Sequence, residues 1–254
     1  MSAPERAGIT NRGPNSRAAH WIGRCLDWWR RLWRVWCRRE RDESNSKMLT
    51  SFPQRITKLD AAERKLVAAI RGFFGNEDAI VVYSLAGDAV EVLDALCRKR
   101  GVKPFRDEAC AAIPGLSQKT IADIVNRHRN FFKHARGDAV DAILDDFTDE
   151  NNDPLLFSAS YDLMQLCAVL RRAFPVEAQM LQIWFMQVHR DAAGPVIKTA
   201  GLPDAPHLIF PDLHQRPRYE QKMLGREAIT WARNEPTLSQ PVPGTPESDG
   251  SAGS

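Results

Sequence analysis

The chain has 254 residues, 43% of them hydrophobic and 26% charged, which is ordinary for a globular protein and excludes fibrous and low-complexity classes. No apolar run reaches the roughly 18–20 residues that span a bilayer as a helix. The net charge of +3 is unevenly placed: residues 1–47 hold 11 Lys+Arg against 5 Asp+Glu, hence +6, and the remainder holds 24 against 27, hence −3. The body therefore offers no overall electrostatic case for nucleic acid.

The five cysteines, Cys25, Cys37, Cys97, Cys110 and Cys167, are an odd number with no CxxC pair. That argues against a disulfide framework and a zinc site, and it fits a reducing, cytoplasmic setting. Cys97 and Cys167 lie on apolar helical stretches and are expected in the core. No cofactor and no metal are implied.

Residues 1–51 form a basic extension. Ile22, Cys25, Leu26, Trp29, Leu32, Trp33 and Trp36 keep a helical rhythm, with Arg24, Arg30, Arg31, Arg34, Arg38 and Arg41 mainly between them. One reading is an amphipathic helix over residues 20–41 that rests on a membrane surface through Trp21–Trp36. The other is a misassigned start. Five of the seven tryptophans fall within sixteen residues amid dense Arg, Gly and Pro, as in translated non-coding DNA, and native protein is expected to begin at or near Met48.

Residues 52–233 are predicted to be a single all-α, bundle-like domain of about six helices. A helix starts near Thr57, with Asp60 and Glu63 read as a capping box, a stripe of Leu59, Ala62, Leu66, Ile70 and Phe73, and Gly75 at its end. A second runs from Asp78 to Arg100, although Ile80-Val81-Val82-Tyr83 is β-branched enough to read as a strand. Pro104 to Pro114 reads as a connection. Ser117 caps a third helix reaching Ala135. Asp138 to Asp153 carries seven carboxylates and reads as a solvated loop, without the spacing of a calcium site. Pro154 opens a fourth helix to about Phe174, Pro175 a fifth over Val176 to His189, a long loop covers 190–215, and a last helix spans Arg218 to Arg233. Residues 234–254 hold four prolines, three glycines and four serines with little that is apolar, and are predicted to be a disordered tail.

The segment Asn126-Arg127-His128-Arg129-Asn130-Phe131-Phe132-Lys133-His134-Ala135 carries the candidate chemistry. It resembles the signature of HEPN domains, in which an Arg followed by a polar residue is separated from a His by four to six intervening residues. Arg129-Asn130 with His134 fits the shorter spacing and Arg127-His128 with His134 the longer. The resemblance implies a metal-independent endoribonuclease acting as a homodimer on RNA. His134 would then be the general acid or base, Arg129 would stabilise charge on the scissile phosphate, and Asn130 would orient His134. Arg127, His128 and Lys133 would contribute to binding. The alternative is structural: Phe131 and Phe132 anchor the helix, and Lys133, His134 and Arg136 complement its C-terminal dipole.

From Ile56 to about Trp231 the chain also resembles a group of bacterial all-helical proteins. The shared pieces are Ile56-Thr57-Lys58-Leu59-Asp60-Ala61-Ala62, Asp94-Ala95-Leu96-Cys97-Arg98-Lys99-Arg100-Gly101 and above all Asn130-Phe131-Phe132-Lys133-His134-Ala135. Arg136 replaces the usual Asp of that group. Ser117 to Val125 resembles the first helix of a helix-turn-helix, but the glycine-bearing turn is missing. His207 and His214 share a loop and are expected to face solvent or bond locally. The sequence thus favours a helical protein that acts by binding, with a HEPN-like ribonuclease or RNA-binding protein as the alternative and membrane association as a third.

Overall fold

In a computed structural model that describes residues 55–134, 141–190 and 210–234, every regular element is helical. Helix α1 (Lys58–Gly75) starts at Thr57, whose hydroxyl accepts from the Asp60 amide at 3.1 Å while the Asp60 carboxylate accepts from the Thr57 amide at 3.0 Å. The capping box is therefore Thr57 with Asp60, one turn earlier than the Asp60 and Glu63 pair predicted. A threonine reaches an N3 amide as readily as an aspartate does, and the following acid is already in place. The predicted stripe is buried throughout. Asn76, not Gly75, takes the left-handed turn that closes the helix, with φ of 57°.

After three residues the chain re-enters helix as α2 (Ala79–Lys99), capped by Asp78, whose carboxylate accepts from the amides of Ile80 and Val81. The β-branched run is helical: Val82 and Tyr83 turn into the core and Ile80 and Val81 face solvent. Helical register decides which two of the four are buried, and packing on α1 outweighs the local β preference. The predicted connection from Pro104 to Pro114 is instead a short helix, α3 (Phe105–Ala112). Eight residues are too few to display apolar periodicity, and its N-terminus is capped from another part of the chain.

Helix α4 (Gln118–Lys133) follows, capped by Ser117 and two residues shorter than predicted. A 3-10 turn (Asp149–Asn151) then leads into α5 (Asn152–Leu170), which begins two residues before Pro154. Proline is tolerated in the first turn, where its missing N–H had no partner to lose. The helix stops at Leu170, short of Phe174, because Arg171 is left-handed and the Arg172 amide turns back to the Cys167 carbonyl at 2.9 Å. Helix α6 (Val176–Val188) and helix α7 (Arg218–Asn234) complete the architecture, with a 3-10 turn (Leu213–Gln215) ahead of α7. The predicted 190–215 loop thus ends in fixed structure, where Phe210 and Leu213 are buried.

The core lies where α1, α2, α5, α6 and α7 meet. Its centre is a set of edge-on rings: Phe73 to Phe74 at 5.1 Å, Phe73 to Trp184 at 5.3 Å and Phe74 to Trp184 at 5.5 Å between centroids. The Trp184 ring N–H donates to the Gln221 carbonyl at 2.7 Å, which fixes α7 against α6. Cys97 and Cys167 are buried as expected. By contrast, from Phe105 to His134 only Ala109 and His128 are buried, so α3 and α4 lie on the outside of the bundle. The tryptophan-rich stretch, Met48, Asp138, Arg136, His207 and residues 235–254 lie outside the described residues.

Candidate functional site

Helix α4 divides the residues predicted to act together. Lys119, Asp123, Asn126, Arg127, Asn130, Lys133 and His134 are all exposed. At 100° per residue they occupy one stripe roughly 120° wide, and from Lys119 to His134 it runs for about 22 Å. The predicted Asn130, Lys133, His134 and Arg127 therefore share an outward face. Arg127 reaches along the surface to Asp146, with Nη1 to carboxylate oxygen at 2.8 Å. His134 is the residue that caps the helix C-terminus, and its amide donates to the Asn130 carbonyl at 2.9 Å.

Arg129 and His128 turn inward. The Arg129 guanidinium pairs with Asp88 at 3.3 Å and more closely with Glu91, both on α2. Burial alone would lower its pKa, but the hydrogen bonds and charges of Glu91 and Asp88 outweigh this and raise it. Asp88 also accepts from Lys65 at 2.6 Å; burial pushes its carboxyl up, and these two cations pull it below its ordinary value. The Arg129 side chain passes close over α2 at Gly87, where a Cβ would make an ordinary contact at 3.5 Å with Arg129 Cδ. His128 is 5% exposed and sits edge-on to Tyr83 and Phe147, with Nε2 3.4 Å from an Asp146 oxygen. Phe132 completes this aromatic set and Phe131 packs edge-on to it. The structure thus places Arg129 and His128 in helix-to-helix contacts, and Asn130 and His134 in solvent.

A second polar cluster went unread in the sequence. Asp153 was expected in a solvated loop, yet it is fully buried: it accepts from both terminal nitrogens of Arg218 at 2.9 and 2.6 Å and lies 2.7 Å from His189 Nε2. Asp149 accepts from Arg218 at 3.0 Å and from the buried Lys222 at 2.8 Å. Arg218 also lies over the Phe73 and Trp184 rings at 5.1 and 5.2 Å, and Lys222 over Phe73 at 4.6 Å. The two carboxylates meet an arginine, a lysine and a histidine, and the cluster joins α5, α6 and α7. A sequence signal exists in the matched i, i+4 spacings of Asp149 with Asp153 and of Arg218 with Lys222, but nothing local pairs those two segments. Asp141, Asp145 and Asp146 are exposed as expected.

Among the described residues no cluster of three or more His, Cys, Asp or Glu side chains could hold a metal ion. No helix among them is long and apolar enough to cross a membrane. No family model, curated protein or solved structure matches the chain.

Proposed function

We propose that the protein works as a binding module, that the outward stripe of α4 is its contact surface, and that single-stranded RNA is the ligand to test first. The observation that carries this reading is the composition of that stripe. Lys119, Arg127 and Lys133 stand along it against the lone Asp123, with Asn126, Asn130 and His134 as hydrogen-bonding groups between them. A row of cations and amides at helical spacing suits a phosphate backbone, although the body of the chain is acidic overall. Arg127 is open to such a ligand because its carboxylate partner lies at the surface, where an ion pair is worth about 0–1 kcal/mol.

Fluorescence anisotropy with a labelled single-stranded RNA at low salt tests it, comparing the full chain with Arg127→Ala/Lys133→Ala. Binding that weakens in the variant and with added salt supports the reading. Equal binding by both proteins, or none, sinks it.

A second reading, a metal-independent endoribonuclease, is favoured by Arg127, Asn130 and His134 at i, i+3 and i+7 on that stripe. Arg127, rather than Arg129, is then the phosphate-facing arginine, because Arg129 is committed to Asp88 and Glu91. Cleavage of RNA in chelator, lost in His134→Ala with helical content retained, is the expected result; persistence of cleavage in that variant removes His134 from the chemistry. The membrane reading rests wholly on residues 20–41, and liposome pelleting of full-length against 48–254 protein decides it.

A further inference from the structure

Helix α3 has no N-terminal cap of its own. Pro104 occupies the cap position with no side chain to offer, and the Phe105 amide instead donates to the Asp162 carboxylate of α5 at 2.6 Å. Asp162 is 1% exposed. The Phe105 ring packs edge-on to Phe157 and Tyr161, both ahead of Asp162 on α5, at 5.3 and 5.5 Å. Beyond that ring and Ala109, α3 is held by surface charges: Arg98 of α2 bridges Asp94 and Asp107, and Arg106 reaches Asp94 at 3.0 Å. Asp107 also accepts from Gln118 at 2.5 Å, which ties the start of α4 to α3.

The groups facing Asp162 explain why it is poorly stabilised as an anion. From α2 come Asp94, Arg98 and the buried Cys97; from α3 comes Arg106; Tyr161 adjoins it on its own helix. Both guanidiniums donate to Asp94 or Asp107, and the Phe105 amide is the hydrogen bond that Asp162 itself receives. Burial pushes the Asp162 carboxyl up to about 7, with the Asp94 charge adding to the effect and the Phe105 amide, Arg106 and Arg98 opposing it. Arg106 Nε is itself buried without a partner. The α3 seat is thus short of compensation on both sides.

We propose that Asp162 is a proton-controlled latch for α3 and, through Gln118, for the first half of the α4 stripe. The neutral acid keeps α3 seated, and its ionisation favours lifting the helix so that the carboxylate can hydrate. The sign follows from linkage. A carboxyl raised in the closed state and ordinary in the open state makes opening easier as pH rises, about tenfold per pH unit until the closed-state pKa is passed. The latch stands on the geometry of α3, while its consequence for ligand rests on reading α4 as the contact surface.

Amide hydrogen exchange of the full chain, read by NMR without ligand and corrected for intrinsic rates, tests the latch. Opening of the Phe105–Ala112 amides relative to those of α1 should rise about tenfold per pH unit between about 5 and 7 and then level off. Asp162→Asn, which keeps an acceptor for Phe105 and cannot ionise, should flatten that slope. A flat wild-type profile, or an equal slope in the variant, overturns the proposal. Should the variant fail to fold, the carboxyl carbon of Asp162 in wild-type protein decides the matter: titration near neutrality supports the latch, and titration in the ordinary carboxylate range overturns it. Loss of RNA binding at every pH with the exchange slope intact would overturn the ligand reading and leave the latch standing.

Discussion

Replacing Gly225 by alanine should destabilise this protein, although the same change in an exposed helix interior stabilises by about 0.5–1 kcal/mol. Gly225 lies within α7 and is buried. A Cβ at this position would fall 2.1, 2.6 and 2.8 Å from three carbons of the Phe74 ring. Real Cβ contacts do not come so near, so the ring or the helix must move. The ring has little room, because Phe74 is 1% exposed and boxed edge-on by Phe73 and Trp184. Overpacking of this kind costs about 1–3 kcal/mol. The 2.1 Å approach puts the cost in the upper half of that range, and subtracting the helix-propensity gain leaves a net loss of about 1–2.5 kcal/mol, or a Tm lower by roughly 2–10 °C for a domain of this size. Thermal melts followed by circular dichroism, with urea titrations at 25 °C, measure it. A double-mutant cycle with Phe74→Leu should show coupling of at least about 0.5 kcal/mol, since a smaller and more flexible side chain relieves the clash. A Gly225→Ala protein as stable as wild type would refute the packing argument.

Three further perturbations separate architecture from surface. Asp153→Asn removes the charge that pairs with Arg218 inside the bundle, and should cost about 3–5 kcal/mol in urea unfolding; a loss below 1 kcal/mol would mean the cluster is not effectively buried. Asp60 is held down to about 2, first by the Thr57 hydroxyl, then by the Thr57 amide and by Arg172, so its contribution is present above the ordinary carboxylate range and lost as pH falls from about 4 towards 2. Asp60→Asn should shed part of that acid sensitivity and about 0.5–2 kcal/mol at neutral pH, and an unchanged acid-unfolding midpoint would contradict it. Arg129→Ala should lower Tm through the loss of its contacts to α2, whereas His134→Ala should leave stability within about 0.5 kcal/mol; the reverse order would exchange their structural assignments.

Much of the fold was legible because it rests on periodicity. The stripe of Leu59, Ala62, Leu66, Ile70 and Phe73 names its own buried face, and Asp78 and Ser117 announce helix starts through hydrogen bonds made within three residues. Such signals are local, and local chemistry is what a linear chain displays. The outward placement of Asn130 and Lys133, and of Arg127 beside them, likewise follows from spacing on one helix once its inner face is known. The α3 helix was hidden because its cap is Asp162, which lies 57 residues away, and no window of eight residues contains that information.

The candidate site divides along the same line. Sequence alone settled that this chain is helical and that Arg127 to Lys133 lies on a single helix. Only the tertiary structure decided that Arg129 faces Asp88 and Glu91 while Arg127 faces solvent, because the two arginines differ by the 200° between them on the helix and not by their chemistry. It alone decided that Asp153, one of seven acids in a run, is fully buried. A carboxylate leaves water only when a cation is brought to it, and the Arg218 that does so lies 65 residues further along, carried there by the packing of α7 on α6 and α1.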